Sequence, residues 1–184
     1  MKRIVIPKNI KGIKVCKYIP FDRKKMIGGY FKKGLLYYVK GDEHGCWHLP
    51  ENDCVFEFHT CPSDDAVMPS ITALLKSLLS TNKITIILAR KELTVITKTK
   101  KTKDIGDTLV TTNRSVLLNA AANNQFKGGE SNYRKLLKAL SKWIDELCKA
   151  KLIKKPDRMV IFWQVDWEYV YRDLLHFRIK HYKR

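Results

Sequence analysis

His44, Cys46, His48, Cys54, His59 and Cys61 fall within eighteen residues and include three of the five histidines and three of the five cysteines of the chain. Imidazole and thiolate are the groups zinc takes as ligands, four at a time and tetrahedrally. The spacings His44-x-Cys46-x-His48 and His59-x-Cys61 suit strand ends, where residues i and i+2 point the same way. No Cys-x-x-Cys pair occurs, so the pattern is not that of a zinc ribbon. The alternative reading has Cys54 packed in a core and the others as ordinary loop residues.

The elements that must position these groups are legible around them. Val55, Phe56 and Phe58 form a short apolar strand running into His59-Thr60-Cys61-Pro62. A turn-rich acidic loop with Asp64 and Asp65 follows. Pro69-Ser70 then opens a helix whose apolar positions Ile71, Leu74, Leu75, Leu78 and Leu79 recur at three and four residues, with Ser70 as a natural N-cap. Strand, polar loop and helix in this order place potential ligands at the end of a sheet.

Phe58-His59-Thr60-Cys61-Pro62 and Pro69-Ser70-Ile71-Thr72-Ala73 resemble the signature of the MPN/JAMM metallopeptidase domain, in which an upstream glutamate precedes His-x-His-Pro and a helix opening Ser-x-x-Asp. The helix after Ser70, then Ile84–Ala89 turning at Lys91-Glu92 into Leu93–Thr97, is similar in order and length, and versions encoded by large DNA viruses look closest. The likeness covers residues 28–98. It implies a zinc ion held by two histidines and the aspartate, with the glutamate as base. His59 keeps the first ligand, Cys61 stands for the second, and Ala73 occupies the aspartate position, where it can coordinate nothing. No glutamate occurs between residues 1 and 42, so the upstream base is missing. Cys61, Pro62, Ser70 and Ala73 with His59 are thus expected to be vestiges of a motif. If zinc is retained, Asp64 or Asp65 must join His59 and Cys61.

Charge is the second strong signal. The net charge is +18, unevenly spread: residues 1–40 carry twelve Lys/Arg and only Asp22, whereas residues 41–75 carry seven acids and no Lys or Arg. A basic surface raises affinity for nucleic acid, anionic lipid or an acidic protein. A lysine-rich composition that confers only solubility is the plainer alternative. Lys98, Lys100, Lys101 and Lys103, in a Lys/Thr run within residues 98–112 read as a solvated loop or edge, are the candidate polyanion contacts. Lysine outweighs arginine and no aromatic-basic repeat occurs, which disfavours base-specific readout. Phosphate-binding glycine loops and the Gly-x-Ser-x-Gly elbow are also missing from the sequence.

Five cysteines without a signal-peptide pattern predict a reducing intracellular compartment, or a virion if the viral likeness holds, and no apolar run is long enough for a membrane helix. Along the chain, Lys2–Ile6 and Ile13–Ile19 read as strands, and Tyr30-Phe31 with Leu35–Val39 as a hairpin. Ile84–Ala89 and Leu93–Thr97 read as further strands. Asn113–Ala122 reads as a helix, and Ser131 caps another to about Lys151, with Tyr133, Leu136, Leu137, Leu140, Ile144 and Leu147 on one face. Met159–Val165 reads as a strand and Trp167–Tyr182 as a last helix.

The sequence therefore predicts an α/β fold, a curved mixed β-sheet flanked by helices. The resemblance implies the three-layer JAMM and cytidine-deaminase arrangement, with residues 1–184 as one domain, 28–98 as its core and 131–184 as a helix–strand–helix completion. The function expected is that of a catalytically inactive JAMM-like component of a protein assembly, a virion or capsid if viral, without a cofactor. A divergent zinc isopeptidase and a non-specific nucleic-acid binder are the alternatives.

Overall fold

The computed structural model describes residues 1–42, 53–62, 71–111, 114–154 and 170–184. They form an α/β protein with two compact units, one comprising Met1–Val67, Ser80–Thr97 and Ile179–Arg184, the other Met68–Leu79 and Lys98–Arg178.

The first unit is a seven-stranded mixed sheet. Its strands are β1 (Lys2–Val5), β2 (Ile27–Lys32), β3 (Leu35–Lys40), β4 (Phe56–Thr60), β5 (Ile84–Leu88), β6 (Glu92–Thr97) and β7 (Arg178–Lys183), in the spatial order β1-β3-β2-β4-β5-β6-β7. β4 and β5 run parallel, with His59 beside Ile87, while β2 and β4 run antiparallel, with Gly28 beside His59. β2 and β3 are joined by Lys33-Gly34, both at positive φ (50° and 78°), the geometry of a two-residue hairpin turn that follows the strand twist. Gly29 lies where a Cβ would run into the Tyr37 carbonyl oxygen, so the close approach of β3 admits only glycine there.

One face of this sheet packs into a core of Ile27, Phe31, Leu36, Phe56, Phe58, Ile86, Leu88 and Leu93. Val15, Cys16 and Ile19 cover it. These three belong to the segment expected to be a strand, but Gly12–Tyr18 is a 3-10 helix. Burial at 15, 16 and 19 follows a helical interval, not the period of two that a half-buried strand requires. Burial lifts the Cys16 thiol to about 11, against a smaller opposing pull from Arg184. The Arg184 guanidinium donates to the Ile19 carbonyl at 3.3 Å and lies 5.1 Å from the centre of the Phe21 ring.

The second unit is helical: α1 (Ile71–Leu79), α2 (Lys100–Thr111), α3 (Arg114–Lys127) and α4 (Glu130–Lys149). The Lys/Thr run is the start of α2, not a loop or edge. Thr99 and Thr102 form a reciprocal capping box: the Thr102 N–H donates to Thr99 Oγ1 at 3.2 Å and the Thr99 N–H to Thr102 Oγ1 at 3.1 Å. Both hydroxyls also donate to the His176 carbonyl, at 2.9 and 2.8 Å. Gly106 brings α2 against α1, since a Cβ there would sit 2.8 Å from the Leu78 carbonyl oxygen. α3 extends to Lys127, beyond the expected end at Ala122. α4 starts at Glu130, after Gly129 at φ 82°, and buries Leu136, Leu140, Trp143, Ile144 and Leu147, while Tyr133 and Leu137 stay half-buried.

The expected last helix is not formed as read. Val170–Leu174 is a single π-helical turn, His176 takes a left-handed φ of 55°, and Arg178–Lys183 is β7. Phe177 and Ile179 are buried between exposed Arg178 and Lys180, a period of two that marks a strand. The strand expected at Met159–Val165 lies outside the described residues.

Candidate functional site

β4 carries the motif residues, and its alternation sorts them. Phe56, Phe58 and Thr60 are buried, whereas Glu57 and His59 are half-buried and share the opposite face. Cys61 continues that parity, and its N–H donates to the Leu88 carbonyl at 2.7 Å, so the pairing with β5 extends one residue beyond β4. His59 and Cys61, both half-buried, thus sit at the carboxyl end of a parallel strand pair, the edge at which open α/β sheets commonly bind ligands. Gly28 beside His59 contributes no side chain on the β2 side.

Thr60 is wholly buried and takes no part in that edge. Its Oγ1 accepts the Ile27 N–H at 2.8 Å and closes the start of β2. Glu57 shares the His59 face, but its carboxylate is engaged: Oε1 accepts from Ser80 Oγ at 3.1 Å and from Asn82 Nδ2. Asn82, only 4 % exposed, in turn accepts the Cys54 N–H at 3.2 Å through Oδ1, and its own N–H donates to Ser80 Oγ at 3.1 Å. This polar cluster ties β4 to the turn preceding β5. Sequence reasoning missed it because Ser80-Thr81-Asn82 carries only an ordinary helix-ending signal.

Zinc is the group the resemblance implies. Of the donors assigned to it, His59 and Cys61 lie on one strand face, while Asp64 and Asp65 are outside the described residues, as are Ser70, His44, Cys46 and His48. Ala73, the residue that the resemblance puts at the aspartate position, lies in α1 and is no metal ligand by residue type. Among the described residues no three His, Cys, Asp or Glu side chains are gathered so that they could hold a metal ion. Two donors fall short of the three protein ligands of catalytic zinc sites and the four of structural ones, so the described residues do not by themselves fit zinc. Cys16, Cys61 and Cys148 are in no disulfide.

The candidate polyanion contacts separate into two kinds. Lys100, Lys101 and Lys103 are exposed on the first turn of α2. Lys98 is corrected out of that set: it is 8 % exposed and its ammonium donates to the Leu78 carbonyl at 3.3 Å. Leu78 is in the last turn of α1, where carbonyls lack helical partners and the helix dipole favours a cation. Lys98 is therefore a helix cap, which a charge run alone does not reveal. No described helix is long and apolar enough to cross a membrane. Comparison of the chain with protein-family models, curated proteins and solved structures found no match.

Proposed function

We propose that the chain is a catalytically inert JAMM-like scaffold that acts as a structural or protein-interaction component of an assembly, a virion or capsid in the case of the viral likeness. The observation that carries this reading is the β4 edge. In chain order α1 follows β4 and precedes β5, which pairs parallel to β4, yet the residue that the resemblance assigns as third ligand is Ala73, and the Glu57 carboxylate is committed to Ser80 and Asn82. Metal-assisted hydrolysis needs a bound water brought to a pKa of about 7 and a base to take its proton. Among the described residues no three metal donors are gathered, and the one glutamate of β4, Glu57, is engaged by Ser80 and Asn82.

The test is metal analysis of the purified chain, together with cleavage of an isopeptide-linked ubiquitin dimer in added zinc. The expected result is no stoichiometric zinc and no turnover. Stoichiometric zinc with cleavage abolished by His59→Ala would establish the divergent isopeptidase instead. Exposed Lys100, Lys101 and Lys103 favour a second reading, non-specific contact with nucleic acid. Its test is duplex binding across a salt series, where counterion release demands that affinity fall steeply as salt rises. Binding indifferent to salt would exclude it.

A further inference from the structure

α3 and α4 are joined by Gly128 and Gly129, at φ 58° and 82°, and so form a tight antiparallel pair. Between them runs an open groove of about 1230 Å³. That exceeds the roughly 300–1,000 Å³ of small-molecule pockets. Its walls include Val116 and Ala120 from α3 and Tyr133 and Leu137 from α4. Val116 is 55 % exposed, and the other three are half-buried. Along the α4 side stand Lys135, Lys138 and Lys142, all exposed. They span two helical turns, about 10 Å at 1.5 Å per residue. Arg134 also lines the groove but is paired with Glu130. Asp145 is the one other acid in the lining.

We propose that this groove receives one amphipathic helix of an acidic partner protein. Apolar side chains of the helix, at three- and four-residue spacings, fill the carbon-lined floor. Carboxylates flanking them, spaced by the same helical repeat, face Lys135, Lys138 and Lys142. Nucleic acid is the poorer occupant, because a phosphate backbone satisfies the lysines and leaves Val116 and Leu137 with no apolar partner. A second copy of the chain is poorer still. A two-fold contact through this groove would bring like cationic rims together, which costs association energy. The inference uses no residue of β4 or its motif and stands or falls independently of the scaffold reading.

The experiment is fluorescence anisotropy on the full chain with a labelled eighteen-residue helical peptide that carries leucines on one face and glutamates on the other. One control has the same composition with leucines spread around the helix. A second has glutamate without leucine, and an unlabelled DNA duplex is the competitor. The amphipathic peptide should bind at least tenfold tighter than either control, and Val116→Glu and Lys138→Glu should each weaken it at least tenfold. Both side chains are exposed, and unchanged circular dichroism confirms that the variants fold. If Val116→Glu does not fold, Lys138→Glu decides. Equal binding of either control, affinity unmoved by the variants, displacement by the duplex at matched charge, or self-association that Val116→Glu abolishes would each overturn the proposal.

Discussion

Glu57 gives the sharpest way to separate architecture from chemistry at the β4 edge. Its carboxylate accepts from Ser80 Oγ and from Asn82 Nδ2, and Asn82 is 4 % exposed. Glu57→Ala removes a charged acceptor from the Ser80 hydroxyl and from the side-chain amide of buried Asn82. Hydrogen bonds to charged groups are worth about 1.5–3 kcal/mol, and a buried donor left unsatisfied costs about 1–3 kcal/mol. Because Glu57 is half-buried, the loss should be about 2–3 kcal/mol, or a fall in Tm of roughly 4–12 °C for a chain of this size. Asn82→Ala should cost at least as much, since it also deprives the Cys54 N–H of its acceptor. Urea unfolding of both single variants and the double variant closes a thermodynamic cycle, with an expected coupling of about 1–2 kcal/mol. Glu57→Gln should fall between wild type and Glu57→Ala, because it keeps one carbonyl oxygen. A Glu57→Ala loss below about 0.5 kcal/mol, or strictly additive single effects, would refute a structural role for this carboxylate.

Other expectations are as direct. Gly29→Ala should destabilise the sheet by about 3 kcal/mol or more, because the new Cβ collides with backbone of β3 and not with a flexible side chain; a urea midpoint equal to wild type would contradict the packing described. The His176 pKa lies below its ordinary value, chiefly through burial and then through Lys101, with Asp173 opposing. Unfolding therefore takes up a proton at this site, so its contribution to stability is present above about pH 6.5 and is lost as pH falls towards the lower folded value. His176→Asn, which tolerates the left-handed backbone, should flatten that part of a pH–stability profile, and an unchanged profile would remove His176 from the account. With a pKa of about 11, Cys16 is about one part in a thousand thiolate at pH 8. Its alkylation should wait for unfolding, and rapid labelling of native Cys16 located by mass spectrometry would contradict its burial.

How much was legible depended on whether a segment obeyed one period. β2, β3, β5 and β6 read correctly because apolar residues and turn signals agreed, as at Lys33-Gly34 between β2 and β3. α4 read correctly because Leu136, Leu140, Ile144 and Leu147 keep a helical interval over about three turns. The failures occurred where polar residues fill core positions or where two periods compete. α2 was hidden because its inward positions include wholly buried Thr102 and Gly106 beside Ile105, so the apolar stripe that marks a helix is thin. Gly12–Tyr18 was misread because Ile13, Val15 and Ile19 are β-branched, and propensity yielded to tertiary packing of Val15 and Cys16. At the C-terminal end, alternation in Phe177–Ile179 was too short to outweigh the helical look of the residues before it. Of the candidate site, the sequence placed His59 and Cys61 at a strand end but gave no sign that Glu57, Thr60 and Lys98 have backbone or side-chain partners far along the chain.

That distinction bears on what a motif likeness can support. Phe58-His59-Thr60-Cys61-Pro62 reads as one string, but the strand divides it between two sheet faces. Phe58 packs in the core and Thr60 closes β2, so a strand ending over this core would select both whatever happened on its other face. Only His59 and Cys61 are in position to bear chemistry, and the residues shared with a peptidase signature for packing reasons add nothing to the case for hydrolysis. A hydrolytic reading thus rests on two donors and requires others to complete them, whereas a scaffold reading requires only the parallel β4–β5 pair and the polar cluster of Glu57, Ser80 and Asn82 that braces it.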